Sequence, residues 1–320
     1  MPQTRQLTRA AAASGRVRLS GRPERPRGNS TTRDSARGRR AVTASGDRTK
    51  PTPPHPRLAL HSLSTASWPL ERDLDLYAGL GVRRAALFVD KLTAAGSGRA
   101  VELVRAAGVE VSQVCCPGIP LADPARWPDE RSRLLEVLDL SVALGSRCLG
   151  TTTGAPGPLD WEQSAAALGE ALGPVAEAAG ARGVVLAIEQ TLPPRVEIGF
   201  VHSLRDSVDV AARFGLGVIM ESNYCFKERG LEHTVRSAGD RITRVQVSDL
   251  VPPSTVIPDR AVPGDGVIPL VELVRLMLAA GYEGPFELEM LGPRIEAEGY
   301  EAACRRGVAA LSEVLTVAGA

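Results

Sequence analysis

RVQVSDL at residues 244–250, DRAVPGDG at 259–266 and GYEGPFELEM at 281–290 decide the fold. The runs Ile242–Asp249 and Pro285–Met290 alternate apolar and polar side chains, which predicts two strands. Each carries a polar residue near its end, Gln246 and Glu289. Between them lies a turn rich in Gly and Pro with a charged face, from Asp259 and Arg260 to Pro263-Gly264-Asp265-Gly266. The apolar spacing of Leu270–Ala280 then predicts a helix. Strand, polar loop, helix and strand make one βα repeat with its polar groups on one rim.

The same unit recurs outward from this stretch. Strands are predicted at Leu58–Ser62, Ala85–Val89, Val109–Cys115, Arg147–Thr152, Val184–Gln190 and Leu216–Glu221, which with the first two makes eight. Helical spacing fills the gaps, as in Glu130–Leu144, Trp161–Ala179, Leu204–Phe214 and Tyr300–Val317. Gly108, Gly145, Gly215 and Gly281 stand where left-handed helix C-caps are needed. Regular alternation predicts a parallel sheet. Eight units in about 260 residues predict α/β architecture closed into a single-domain (β/α)8 TIM barrel, residues 57–320. No GxGxxG or GxxxxGK[ST] turn follows a strand, so nucleotide-binding sheets lose support.

The 320 residues carry a formal charge of +1, which hides an asymmetry. Residues 1–57 hold thirteen Arg and one Lys against Glu24, Asp34 and Asp47, a net of +11, leaving the rest at −10. Residues 1–56 lack apolar periodicity and read as a disordered Arg-rich tail. They hold no apolar signal region. A transit segment, an RNA-binding arm and a leader without function all fit that composition. For the barrel, the charge predicts no nucleic-acid partner. No run of 18 apolar residues predicts a membrane span. Five cysteines without CxxC spacing fit a reducing, cytoplasmic setting, not a disulfide framework or a zinc ribbon.

In a TIM barrel the chemistry lies where strands end and loops begin. Strand five ends LAIEQ, placing Glu189 there; strand six ends VIMES, placing Glu221; strand seven supplies Gln246 and strand eight Glu289. Strand periodicity turns all four into the lumen, since Leu186, Ile188, Val245, Val247, Phe286 and Leu288 occupy the opposite face. It also predicts a buried Arg244–Glu287 pair one layer below. A single Glu at a strand end is more often a solvated rim residue. Four oxygen-bearing side chains in register on consecutive strands are not explained that way. Three carboxylates sharing a small volume need shared protons or a cation. An all-oxygen set favours one divalent cation, Mn²⁺ or Mg²⁺ with Co²⁺ also suitable, over zinc. Such a site supports enolisation of a small polyol-like substrate, with Glu189 and Glu289 removing and returning the proton next to the carbonyl.

LAIEQ, VQVSDL, DRAVPGDGVIPL and GYEGPFELEM together resemble the sugar phosphate isomerase/epimerase family of xylose isomerase-like barrels, across Leu58 to Leu315. The resemblance implies one metal held by Glu189, Glu221, Gln246 and Glu289, catalysis by Glu189 and Glu289, and a substrate-binding arginine at Arg260. Two positions depart from the family pattern: Glu221 stands for the usual Asp, and Tyr224 for a frequent His. Gln246 in place of His is similar to hydroxypyruvate isomerases and 3-dehydroshikimate dehydratases. His61, Tyr224 and Arg195 join Arg260 as candidate substrate contacts. Lys91 is expected to be solvated, Cys115 and Cys116 to fill space, and His202 and His233 to lie on helices without a role. Four histidines do not match the three-zinc cluster of a repair endonuclease with this barrel. The leading expectation is a metal-dependent isomerase or epimerase of a small keto sugar, keto acid or polyol. A dehydratase of the 3-dehydroshikimate or keto-inositol type and a non-catalytic ligand-binding barrel are the alternatives. The partner is a small molecule, with a homo-oligomer left open.

Overall fold

The computed structural model describes residues 53–320, so the expected tail lies, but for its last four residues, outside the described residues. Eight parallel strands run in sequence order around a closed barrel. They are β1 (Leu58–His61), β2 (Arg84–Phe88), β3 (Glu110–Cys116), β4 (Cys148–Thr152), β5 (Val185–Glu189), β6 (Gly217–Glu221), β7 (Ile242–Val247) and β8 (Phe286–Leu288). Closure is made by β8 lying along β1, with Phe286 opposite Leu58 and Leu288 opposite Leu60. Every predicted strand is present, with its ends displaced by no more than two residues. The expected strands seven and eight are shorter than predicted because their upper ends peel away. Asp249 pairs instead with Ala261 in an isolated antiparallel bridge, and Met290 N donates to Ser64 Oγ at 3.0 Å.

The main outer helices are α1 (Leu70–Leu80), α2 (Val89–Ala94), α3 (Ser97–Ala106), α4 (Trp127–Ala143), α5 (Trp161–Gly180) and α6 (Leu204–Phe214). They continue as α7 (Ser222–Cys225), α8 (Leu231–Ala238), α9 (Leu270–Ala279), α10 (Pro293–Glu298) and α11 (Tyr300–Ala318). Local sequence sets their ends. Asp160 Oδ1 accepts from Gln163 N at 2.8 Å while Gln163 Oε1 accepts from Asp160 N at 3.0 Å, a reciprocal cap that starts α5. Gly108, Gly145, Gly215 and Gly281 take φ of 64, 72, 67 and 87°, as the C-cap reading expects. Among the described residues no helix is long and apolar enough to cross a membrane.

The strands' outward faces supply the main core. Leu186, Ile188, Val218, Val245, Phe286 and Leu288 are buried with Leu168, Leu172 and Leu311 of the helices. Each such side chain contributes about 1.5–3 kcal/mol by leaving water. The lumen holds a second, smaller cluster of Cys148, Ala187 and Ile219. Gly150 of β4 makes room there: a Cβ would lie 2.4 Å from Gln113 Oε1 and 2.7 Å from Ile219 Cδ1. The lumen below the mouth is therefore packed solid, and the site sits on top of that packing.

Candidate metal and active site

Three strand ends converge at the mouth. Glu189 closes β5, Glu221 closes β6, and Glu289 follows β8, where its N–H donates to Val247 O at 3.0 Å. One carboxylate oxygen from each lies within 4.8 Å of the others. Glu221 and Glu289 are buried and Glu189 is partly so. Gln246 of β7 joins them, its Nε2 donating to Glu189 Oε2 at 3.3 Å. In this arrangement the amide nitrogen faces Glu189 and the amide oxygen does not. Gln246 Oε1 is left buried without a donor.

Arg260 threads between the acids. Its Nη1 lies 3.0 Å from Glu221 Oε2 and 2.9 Å from Glu289 Oε2, and donates to Glu289 O at 3.1 Å. Neither carboxylate oxygen lies along an N–H direction, so these are ion pairs without hydrogen-bond alignment. Arg260 Nη2 donates to Tyr224 Oη at 3.0 Å, and the guanidinium stands 5.2 Å from the Tyr224 ring centre. Glu221 Oε1 accepts from Asn223 N at 2.8 Å, which caps α7 and leaves the other oxygen for the pocket. Asn223 was not singled out from sequence. Its signal is a small polar residue two places after a strand-end Glu, the spacing of a helix cap.

The electrostatics of these side chains follow from crowding. Burial pushes Glu189 well above the usual carboxylate range, and the Glu289 charge adds to it. Burial lifts Glu221 to about 7, against the pull of Arg260. Burial is the largest influence on Glu289 too, but Arg260 and His61 together outweigh it and hold that carboxyl below its usual value. Three acids and one guanidinium thus hold protons that a second cation would displace. The donor set fits a divalent ion on its own terms. Gln246 Oε1 is a buried acceptor with no partner, and Glu221 Oε2 and Glu289 Oε2 share the single Nη1 of Arg260, all at one mouth. Unpaired buried acceptors are costly unless something binds them.

The other sequence candidates divide. His61, at the end of β1, is buried; its Nδ1 accepts from Leu63 N at 3.0 Å, placing the proton on Nε2, 3.3 Å from Cys115 Sγ. Burial lowers its pKa, with Glu289 opposing. Arg195 lies in the loop after β5 and pairs with Glu197; no bond joins it to the glutamates. Cys115 and Cys116 are buried, and burial raises both thiols. Lys91 corrects the expectation of a solvated side chain. It is 8 % exposed, its Nζ 2.5 Å from Asp73 Oδ2 and 2.9 Å from Thr65 O. Asp73 also accepts from Thr65 Oγ1 at 2.6 Å. A lysine packed under the loops after β1 and β2 has no water, so it takes an acid from α1. His202 precedes α6 rather than lying on a helix, its Nδ1 3.0 Å from Thr191 O, whereas His233 does lie on α8.

The predicted layer beneath is present. Arg244 Nε is 3.7 Å from Glu287 Oε1, and Glu287 also accepts from Ser112 Oγ at 2.6 Å and Gln113 Nε2 at 2.5 Å.

A closed eight-stranded parallel barrel with carboxylates gathered at the strand ends defines a TIM barrel with an acidic cluster at its mouth. The sequence model of the xylose isomerase-like TIM barrel family matches residues 75–311, and the chain belongs to that family. Among solved structures it is similar to a protein from Sinorhizobium meliloti 1021, at 24% identity and TM-score 0.73, over 82% of this chain and 98% of that one. It is similar to a zinc-bound IolI protein at 15% identity and TM-score 0.71, over 81% and 98% of the two chains. An L-ribulose 3-epimerase aligns at 19% identity and TM-score 0.67, over 82% and 95%. No curated protein sequence matches the chain.

Proposed function

We propose that this barrel is a divalent-metal-dependent isomerase or epimerase of a small keto sugar, keto acid or polyol. The observation that carries the reading is the convergence of Glu189, Glu221 and Glu289 within 4.8 Å, with the free Gln246 oxygen beside them. Those four side chains would hold the cation, and their all-oxygen character favours Mn²⁺ or Mg²⁺, with Co²⁺ also suitable. When bound, the ion supplies Lewis acidity at a substrate carbonyl and its neighbouring hydroxyl. Glu189 and Glu289 come from strands on different sides of the mouth, so one takes the proton next to the carbonyl and the other returns it. Arg260 and Tyr224 are the donors placed to orient substrate oxygens. Tyr224 Oη accepts from Arg260, which leaves its own proton to donate. The L-ribulose 3-epimerase likeness supports this class of chemistry.

The test loads purified protein with Mn²⁺, Mg²⁺ or Co²⁺ and incubates it in deuterium oxide with a panel of keto sugars, keto acids and cyclic polyols. Deuterium incorporation next to the carbonyl, with no water lost and no other change of formula, is the expected result. Loss of water from the substrate would make the protein a dehydratase. A protein that binds none of the three ions at micromolar concentration would refute the metal-dependent reading.

A further inference from the structure

We propose that Asp249 positions Arg260 against the glutamates; the consequence for catalysis rests on the reading of Arg260 as part of the active site. Asp249 is 1 % exposed and its carboxylate is spent on backbone N–H groups of its own loop. Oδ1 accepts from Leu250 N at 2.8 Å and Ile268 N at 3.0 Å; Oδ2 accepts from Gly264 N at 2.9 Å and Gly266 N at 3.0 Å. Hydrogen bonds to a charged acceptor are the strong ones. Three of the four, from Gly264, Gly266 and Ile268, gather the far end of the loop around one side chain.

The near end is held by the same residue. Asp249 N donates to Ala261 O at 2.9 Å and Ala261 N donates to Asp249 O at 2.8 Å, which pins the residue next to Arg260. Asp249 O also accepts from Asn223 Nδ2 at 3.0 Å, and Asn223 N holds Glu221 Oε1. A closed circuit therefore runs from Glu221 through Asn223, Asp249 and Ala261 to Arg260, and from Arg260 back to Glu221. The fit is close at Gly266, where a Cβ would lie 2.3 Å from Asp249 Oδ1 and 2.2 Å from Leu250 O. Asp249 has no bond to the three glutamates or to Arg260's guanidinium. It acts through the loop and is a positioning residue.

The test reads Arg260 directly, by phenylglyoxal modification of the full chain and peptide mass spectrometry. Arg260 is 3 % exposed and should react slowly, while Arg305, with 61% of its side chain exposed, reacts fast. Asp249→Asn keeps the shape but turns one acceptor into an amide nitrogen that cannot accept. It should raise Arg260 modification at least tenfold and leave Arg244, partly buried one layer down, unchanged. Gly266→Ala crowds the same carboxylate without altering its charge and should act in the same direction; it decides the matter if Asp249→Asn does not fold. The proposal is overturned if Arg260 stays protected in the folded variants, or if Arg244 and Arg260 become reactive in parallel, the sign of general loosening. Calorimetry with Mn²⁺ alone gives a second reading. Asp249→Asn should change the dissociation constant at least threefold, and by less when Arg260 is already Met; equal effects in both backgrounds would overturn the coupling. A wild-type protein that binds none of Mn²⁺, Mg²⁺ and Co²⁺ would refute the metal-dependent function, and the modification rates would still decide the role of Asp249.

Discussion

Arg244 Nε stands 3.7 Å from Glu287 Oε1, and the pair is unequal. Arg244 spends its closer contacts on the carbonyls of Ser112 and Thr243. Burial pushes the Glu287 carboxyl up to about 7, with Arg244, Ser112 and Gln113 pulling the other way. In an unfolded chain the same group ionises near 4.5. The folded protein therefore keeps this proton to higher pH than the unfolded chain does. Its contribution is complete below about 4.5 and is lost as pH rises to about 7. That gap is worth roughly 3 kcal/mol. Urea denaturation should show wild-type stability falling between pH 5 and 8, and Glu287→Gln should flatten the fall by about that amount. Parallel slopes for the two proteins would refute the assignment.

Arg244→Met leaves Glu287 buried without its counter-charge. The expected cost is roughly 3–5 kcal/mol at pH 8, where the wild-type acid is ionised and the variant must either bury the charge unpaired or hold the proton against the pH. At pH 5 the acid keeps its proton and the cost should be smaller. A loss that does not depend on pH would mean the arginine matters only for packing.

Glu189→Gln and Glu289→Gln each remove a base and weaken a ligand. Solvent deuterium incorporation should fall by a factor on the order of 10² to 10⁴ in either variant. Metal content measured beside activity separates the two effects. Wild-type exchange in a variant that still holds metal would remove that residue from proton transfer.

Glu221→Asp restores the residue more usual at this strand end. The Asn223 N–H bond to the side chain is local, and Asp is a strong helix cap, so thermal stability should hold. The shorter side chain should weaken Mn²⁺ binding by no more than about tenfold. Calorimetry on the purified variant checks both; complete loss of metal would show that the extra methylene is needed to reach the ion.

Gln246→His supplies a ring nitrogen in place of an amide oxygen. Competition between equimolar Zn²⁺ and Mn²⁺ should move toward zinc by about tenfold or more. An unchanged ratio would place Gln246 outside the ligand set.

The barrel and its glutamates were legible because strand alternation has a period of two. Once Leu186 and Ile188 are assigned to the helix side, Glu189 must face the lumen, and the same logic carries Gln246, Glu287 and Glu289. Glu221 follows from its place at the end of an apolar run. What stayed hidden depends on contacts between distant segments. A lysine two residues past a strand looks solvated until the fold brings Asp73 to it. Arg195 is the exception: it looks ready for an anion, but its partner Glu197 stands only two places on. Asp249 reads as a polar loop residue because its partners are backbone N–H groups up to nineteen residues away, which carry no mark in sequence.

The packed lumen has a consequence for traffic. Gln113 and Ile219 meet over Gly150, and the Arg244–Glu287 pair closes the layer around them, so the well holding the glutamates has a floor. A well of this kind has one doorway. A small molecule that reaches the glutamates from the strand-end side must leave by that side, and one still seated on the floor keeps the next one waiting outside.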